Sequence, residues 1–275
     1  MARTTTVLFI ADLVGKPGVF CVKSLLGNLR RTHQVDLTIA NCDGATGGFG
    51  LGKRHAAYLH KLGVDVITSG ECIYYKRDMV PYLKEVRYVL RPFNYPRHNP
   101  GHGWTTVTAR GGARVTVACL LGQSGYDRVH PGNPFAAAEW LATERRAETP
   151  IVILDFHACT TAEKRNMCVW MDGKVSAVFG THVRVQSADE AISAKGTATL
   201  THCGRTGSID SVGGLDPEIE IRKWRTGIYE RSTDTWSNLQ LQGVLARFDD
   251  DGRAVALERL QVRCPAPEGT DAHAG

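Results

Sequence analysis

Two short apolar runs, each leading to a histidine, most constrain the fold of this 275-residue chain. Residues 151–156 run directly into His157, and residues 175–179 are followed shortly by His182. Runs rich in valine and isoleucine, bounded by polar or glycine residues, are typical of buried strands. The polar, helix-compatible segment between them therefore predicts a parallel strand–helix–strand unit. Ligands of such sheets bind beyond the carboxyl ends of the strands, so both histidines are predicted to lie in a functional crevice.

The same edge is predicted to collect one candidate metal ligand from each of five strands. These are Asp12, Asp43 and Glu71 after strands 6–10, 35–40 and 64–68, followed by His157 and His182. Any one of these acids alone is more simply a turn or cap residue, but five at equivalent strand ends favour a metal site. Such a mixed oxygen and nitrogen set suits Mn, Fe or Zn rather than Ca. The order of these residues along the chain, with the carboxylates first and the histidines last, is typical of sites where metal ions activate water to attack a phosphate ester.

The remaining segments predict alternating helices and strands with two hairpins. Helices are predicted over 19–31, 53–62, 76–84, 134–147 and 217–225, hairpins over 104–121 and 239–262, a strand over 197–201 and a loop over 203–214. No repeat or linker interrupts this order, so a single domain over 1–264 is expected. The small, polar residues 265–275 are expected to be a disordered tail.

Composition excludes several classes of function. The net charge of +5 is mild and contains no basic block, so an extended nucleic-acid partner is not expected. No apolar run approaches the ~20 residues of a membrane span. The first residues lead straight into a strand without a secretory leader, which predicts a cytoplasmic protein. Its eight cysteines are widely spaced, and in this setting they are expected to be reduced thiols.

Six motifs, in order along the chain, resemble those of a known family. They are FIADLVGKPG at 9–18, GGFG at 47–50, RPFNYP at 91–96, DFHA at 155–158, VSAVFGTH at 175–182 and GSIDSV at 207–212. This pattern resembles the calcineurin-like metallophosphoesterases, in the YmdB-type bacterial phosphodiesterase branch. The resemblance implies an α/β fold, a four-layer sandwich of two mixed sheets flanked by helices. It also implies a two-metal site that acts on phosphodiesters, typically small cyclic nucleotides.

The chain departs from the family pattern at three motifs. The family's glycine–glutamate–asparagine is here Cys42-Asp43-Gly44. Its asparagine–histidine pair, a metal ligand and the general acid, is here Glu71 and Cys72. The second histidine of the last motif is replaced by Arg184, which cannot ligate a metal.

These departures divide unequally between the two metal positions that the resemblance implies. One position would use Asp43, Glu71, His157 and His182, all of which can coordinate. The other would use Asp12, Asp43, Gly44 and Arg184, and two of these cannot. We therefore expect one ion, with Arg184 either pairing with Asp12 or binding a phosphate oxygen. Cys72 stands at the acid's position, although a thiol is a weak donor.

Two functions remain open from the sequence. The first is a metal-dependent phosphodiesterase with a mononuclear site, using Cys72 and Arg184 in catalysis on small phosphodiesters or cyclic nucleotides. The second is a catalytically inactive relative that serves as a binding or assembly subunit, as a homo-oligomer or within a larger assembly. Cys42, Cys72, Cys159 and Cys203 all flank motif positions. They indicate either drift after relaxed catalysis or a thiolate site that favours zinc.

Overall fold

A computed structural model describes residues 4–265 and 267. The tail expected to be disordered, 265–275, lies outside these residues except for Pro265 and Pro267. No helix within the described ranges is both long and apolar enough to cross a bilayer.

The elements alternate along most of the chain. The strands are β1 (Thr5–Ile10), β2 (Asp12–Leu13), β3 (Leu37–Asn41), β4 (Val66–Thr68), β5 (Trp104–Thr108), β6 (Arg114–Leu121), β7 (Ile151–His157), β8 (Ala177–Thr181), β9 (Ala191–Ile192), β10 (Ala198–Leu200), β11 (Arg205–Ser208), β12 (Leu239–Phe248) and β13 (Ala254–Arg263). The helices are α1 (Gly15–Thr32), α2 (Lys53–Leu62), α3 (Met79–Glu85), α4 (Pro134–Arg146), α5 (Thr161–Trp170) and α6 (Pro217–Thr226).

These strands form two mixed sheets. The first has the order β2-β11-β12-β1-β3-β4, with β13 added beside β12. The second has the order β5-β6-β7-β8-β10-β9. Strands β1, β3 and β4 run parallel, as do β6, β7, β8 and β10. Parallel neighbours end at the same edge, so each sheet gathers its following loops at one place.

Side chains along the buried strands alternate between two cores, and this builds four layers. In β1, Val7 and Phe9 point into a core shared with the second sheet, whereas Leu8 and Ile10 point toward helices. Helices α1, α2 and α3 cover the outer face of the first sheet, and α4 and α5 cover that of the second. The predicted α/β sandwich of two mixed sheets flanked by helices is therefore confirmed.

Local predictions from the sequence agree with most of the elements. Strand β7 is followed by α5 and then by the parallel strand β8, as the two apolar runs predicted. Gly63 ends α2 with φ of 108°, a left-handed conformation that favours glycine. The predicted loop over 203–214 is wrong in part, because β11 lies within it. That strand pairs with β2 and β12, and such long-range pairing leaves no local signal in four residues.

The Phe9–Phe179 contact tests the core between the sheets. The two rings are buried, with centroids 5.2 Å apart, one from each sheet. We expect Phe9→Ala to lower the free energy of unfolding by about 3–5 kcal/mol, measured by urea denaturation. The control Tyr229→Ala, at a side chain 87% exposed, should change it by less than about 0.5 kcal/mol. An equally small effect of Phe9→Ala would contradict a shared core.

Candidate metal centre

Three predicted ligands from the two sheets meet at one point. Glu71 follows β4, His157 ends β7, and His182 follows β8. Glu71 Oε2 lies 3.0 Å from His157 Nε2 and 3.6 Å from His182 Nδ1, and the two ring nitrogens are 3.2 Å apart. One carboxylate oxygen and two imidazole nitrogens thus face a common centre.

A buried hydrogen-bond network fixes the ring of His157. Thr181 donates its hydroxyl proton to Asp155 Oδ1 at 2.6 Å, so its oxygen is left to accept from His157 Nδ1 at 2.8 Å. This arrangement places the proton on Nδ1 and turns Nε2 toward Glu71. Gly70 leaves room for this ring, because a Cβ at that position would lie 2.2 Å from His157 Nε2.

His182 is held by contacts on both its ring and its backbone. Its Nε2 lies 3.2 Å from Cys159 Sγ, so the sulfur can accept the Nε2 proton and leave Nδ1 for a ligand role. Its backbone N–H donates to Asp12 Oδ2 at 3.0 Å. The residue has φ of 91°, an uncommon conformation for a non-glycine residue, and Asp12 helps to hold it there.

Asp43 completes the acidic side of the site. Its two carboxylate oxygens accept backbone N–H bonds from Gly70 at 2.7 Å and Cys72 at 3.1 Å. Burial, together with the charge of Glu71, raises the pKa of Asp43 to about 6. Asp43 also groups with Glu71 and Cys72 as a second possible set of metal donors.

The electrostatics of the cluster fit a divalent cation. Burial opposes the charged form of Glu71, but hydrogen bonds with His157 and His182 hold its pKa far below the usual range. Burial likewise opposes the charged form of His182, yet hydrogen bonds to Cys159 and Glu71 raise its pKa to about 10. These imidazole protons lie where a cation would bind, so metal binding here would release them. An O/N donor set of this kind is suited to a divalent metal.

The structure separates the predicted site residues into two groups. Asp43, Glu71, His157 and His182 come together, with His157 Nε2 3.8 Å from Asp43 Oδ2. Asp12 is buried nearby but belongs to neither donor group among the described residues. Cys72 Sγ lies 3.5 Å from Glu71 Oε1, beside the cluster.

Arg184 occupies the space that the small residue Gly44 leaves open. A Cβ at Gly44 would lie 2.6 Å from Arg184 Nη2. The guanidinium donates to the carbonyl oxygens of Gly48 at 2.8 Å and Gly213 at 3.1 Å. Within residues 4–265 and 267 it forms no ion pair with Asp12, the first of the two roles considered for it.

The four motif cysteines do not converge on one thiolate site. Cys72 and Cys159 contact the cluster, through Glu71 and His182 respectively. Cys203 is buried in the core between the sheets, and Cys42 is buried against the helical layer. In the described part of the chain, only Cys72 joins a group of possible metal donors.

The sequence motifs did not reveal several residues that support the site. Asn41 and Thr68 donate to Asp155, which also binds Thr181. Asp155 precedes His157 by two residues in one strand, and this spacing puts both on the same face. That signal was present in the sequence. Asn41 and Thr68 gave none, because their partner is more than 80 residues away along the chain.

Comparison with known proteins agrees with this fold. A solved structure from Mycoplasma pneumoniae, described as a novel phosphatase, superposes with a TM-score of 0.90 at 31% identity, covering 97% of this chain and 96% of that one. A hypothetical protein from Thermus thermophilus gives 0.87 at 30% identity, covering 95% and 100%. The sandwich is that of the metallophosphoesterase class of phosphatases.

Sequence relatives narrow this class to one family. Residues 8–260 match the family model for YmdB-like proteins. A Bacillus subtilis protein named 2',3'-cyclic-nucleotide 2'-phosphodiesterase is 36% identical over 257 residues, which cover 93% of this chain and 96% of that protein. The chain belongs to the YmdB-like protein family, as the sequence motifs indicated.

The Thr181 hydroxyl tests how the site is oriented. Thr181→Val keeps the shape but removes the link between Asp155 and His157 Nδ1, so the ring loses its fixed tautomer. We expect affinity for Mn²⁺ to fall about 10- to 100-fold, measured by titration calorimetry.

The matched control is Thr143→Val, whose exposed hydroxyl donates to the carbonyl of Glu139 in its own helix. It should leave metal affinity unchanged. Thermal unfolding of both variants separates loss of binding from loss of folding. Unchanged affinity in a folded Thr181→Val protein would show that the network does not position His157.

Proposed function

We propose that this protein is a metal-dependent phosphodiesterase with a single divalent transition metal, Mn, Fe or Zn. The observation that carries this proposal is the convergence of Glu71, His157 and His182 within 3.0–3.6 Å of one another. Asp43 adds a carboxylate oxygen 3.8 Å from His157 Nε2. Asp12, which a second ion would need, accepts the backbone N–H of His182 and belongs to neither donor group among the described residues.

The bound metal would lower the pKa of a water molecule and polarise the phosphoryl group. The chain's own residues then have separate tasks. His157 and His182 present their nitrogens in orientations set by Thr181 and Cys159. Asp43, with both oxygens occupied by backbone N–H groups, holds negative charge beside them.

Arg184 supplies a fixed positive charge on the side where relatives hold a second ion. Two of its N–H groups bond to the carbonyls of Gly48 and Gly213, and its remaining N–H groups are available to a phosphate oxygen. A guanidinium presents its positive charge through a planar fork of N–H donors. It would stabilise the charge that develops on the phosphoryl oxygens.

Cys72 limits proton donation to the leaving group of the reaction. Burial, together with the charges of Asp43 and Glu71, raises the pKa of its thiol far above the usual range. The thiol therefore stays neutral and is a weak proton donor. We infer that substrates whose leaving group needs little protonation react best.

Small cyclic nucleotides are the substrates that the family supports. The Bacillus subtilis relative is named for activity on 2',3'-cyclic nucleotides, and its similarity covers 93% of this chain. A strained cyclic phosphodiester also relieves the demand on Cys72. The converging donors of the site support a hydrolase rather than the inactive-subunit alternative.

Activity with one bound ion tests the proposal. We expect the Mn-loaded protein to hydrolyse bis(4-nitrophenyl) phosphate and 2',3'-cyclic AMP, and the chelated protein to be inactive. Metal analysis should give about one equivalent per chain. Arg184→Ala should lower kcat about 10²- to 10³-fold at unchanged metal content, by analogy with the loss of an oxyanion donor.

Arg184→Lys is the matched control, because it keeps the charge but loses the planar fork, and its kcat should fall between those of wild type and Arg184→Ala. No turnover by the metal-loaded protein would overturn the proposed activity and leave the binding-subunit alternative. Two tightly bound equivalents in wild type would overturn the mononuclear site.

Arg184 also determines metal number in this proposal. Arg184→His removes the guanidinium and restores the imidazole that the family pattern implies at this position. We expect its bound Mn²⁺ to rise above one equivalent toward two, measured by metal analysis after equilibrium dialysis. Arg184→Leu removes the charge without adding a ligand and should stay at about one. Equal stoichiometry in both variants would contradict the assignment of Arg184 to the second metal position.

A further inference from the structure

A cavity of about 220 Å³ adjoins the metal cluster. It is lined by Glu71 and His182 of the cluster and, among others, by Tyr75, Tyr126, Asp127 and Arg128. This volume is below the about 300–1,000 Å³ of pockets for drug-sized ligands. The cavity therefore suits part of one small molecule whose remainder extends into solvent, rather than a long chain.

Tyr126 fixes the cavity wall to the cluster. Its hydroxyl donates to the backbone oxygen of His157 at 3.0 Å. Its ring meets His182 edge to face, with centroids 5.2 Å apart. A ligand in the cavity is thus held at a defined distance from the nitrogens that would bind the metal.

Arg128 is a cation that the protein leaves unpaired at this cavity. It is exposed, and within the described ranges it forms no hydrogen bond or ion pair. The other arginine near the site is different, since Arg184 is bonded to two carbonyls. A planar guanidinium with free donors beside a phosphodiesterase centre is suited to a phosphate oxygen.

Tyr75 adds an aromatic face to the same cavity. Its side chain is half-exposed, at 49%, although the ring is large and apolar. Aromatic rings that border an anion-binding groove commonly stack on bases, and such stacking tolerates any base. The cavity therefore combines a ring for a base, a cation for a phosphate and a metal cluster for the reaction.

We propose that Tyr75 and Arg128 form a nucleotide subsite, in which Tyr75 stacks on the nucleobase and Arg128 binds a phosphate oxygen. The inference rests on the proposed function and names nucleoside phosphodiesters as its substrate class. It assigns to these two side chains the selection of nucleotides over phosphodiesters that lack a base.

Binding to metal-free protein tests the subsite independently of catalysis. We expect the full-length wild-type chain, treated with chelator, to bind adenosine 3'-monophosphate more tightly than inorganic phosphate by calorimetry. Tyr75→Ala should weaken nucleotide binding about 5- to 150-fold and leave phosphate binding unchanged. Arg128→Ala should weaken nucleotide binding roughly 10- to 150-fold.

The matched controls are Tyr229→Ala and Arg225→Ala, an exposed tyrosine and arginine in and just after α6, away from the cavity. Both should bind the nucleotide as wild type does, and thermal unfolding should show all four variants folded. Equal wild-type affinity for nucleotide and phosphate, or full nucleotide affinity in Tyr75→Ala, overturns the subsite. Nucleotide binding that depends on both residues in a protein without turnover supports the subsite while the proposed phosphodiesterase activity fails.

Discussion

The carboxyl group of Asp155 is the contact on which the site depends. It is fully buried between the two sheets and accepts hydrogen bonds from Asn41 and Thr68 in one sheet and Thr181 in the other. Burial raises its pKa, and these bonds partly offset that effect. A buried carboxyl group without hydrogen-bond partners would destabilise the fold, so the two sheets must pack in the one arrangement that supplies these partners. The same packing brings Glu71 of one sheet to His157 of the other.

Gly44 and Arg184, the two departures at the second metal position that the resemblance implies, complement each other. Gly44 has no side chain, and the Arg184 guanidinium fills the space beside it. The backbone at Arg184 has φ of 61°, which is uncommon outside glycine. Arg205 holds this strained loop, since its guanidinium donates to the carbonyl of Arg184 at 2.7 Å and of Ser208 at 2.8 Å. The two departures from the family pattern are thus one packed arrangement rather than independent losses.

The sequence predicted the parts of the fold that local pattern controls. Strand β7, helix α5 and strand β8 follow from hydrophobic runs and their boundaries, and the histidines follow because parallel strands end at one edge. Strand β11 could not be predicted, because its four residues become a strand only by pairing with β2 and β12. Arg184 was recognised as unable to bind a metal, but its partners Gly48 and Gly213 lie in loops distant in sequence. Side-chain direction in such loops depends on the complete fold.

The charge of Asp12 needs a positive partner in a site whose two predicted metal positions differ in their ligands. Arg184 donates to carbonyl oxygens and, among the described residues, forms no ion pair with Asp12. Lys164 on α5 is 1% exposed, and its Nζ lies 2.9 Å from His202 Nδ1. Burial lowers the pKa of Lys164 to about 8, and the charge of Asp12 is the leading influence that opposes this fall. A lysine of the second sheet's helical layer thus supplies positive charge on the Asp12 side. In the proposed site with one ion, this lysine would offset part of the charge of Asp12 on the side where a second ion would otherwise bind.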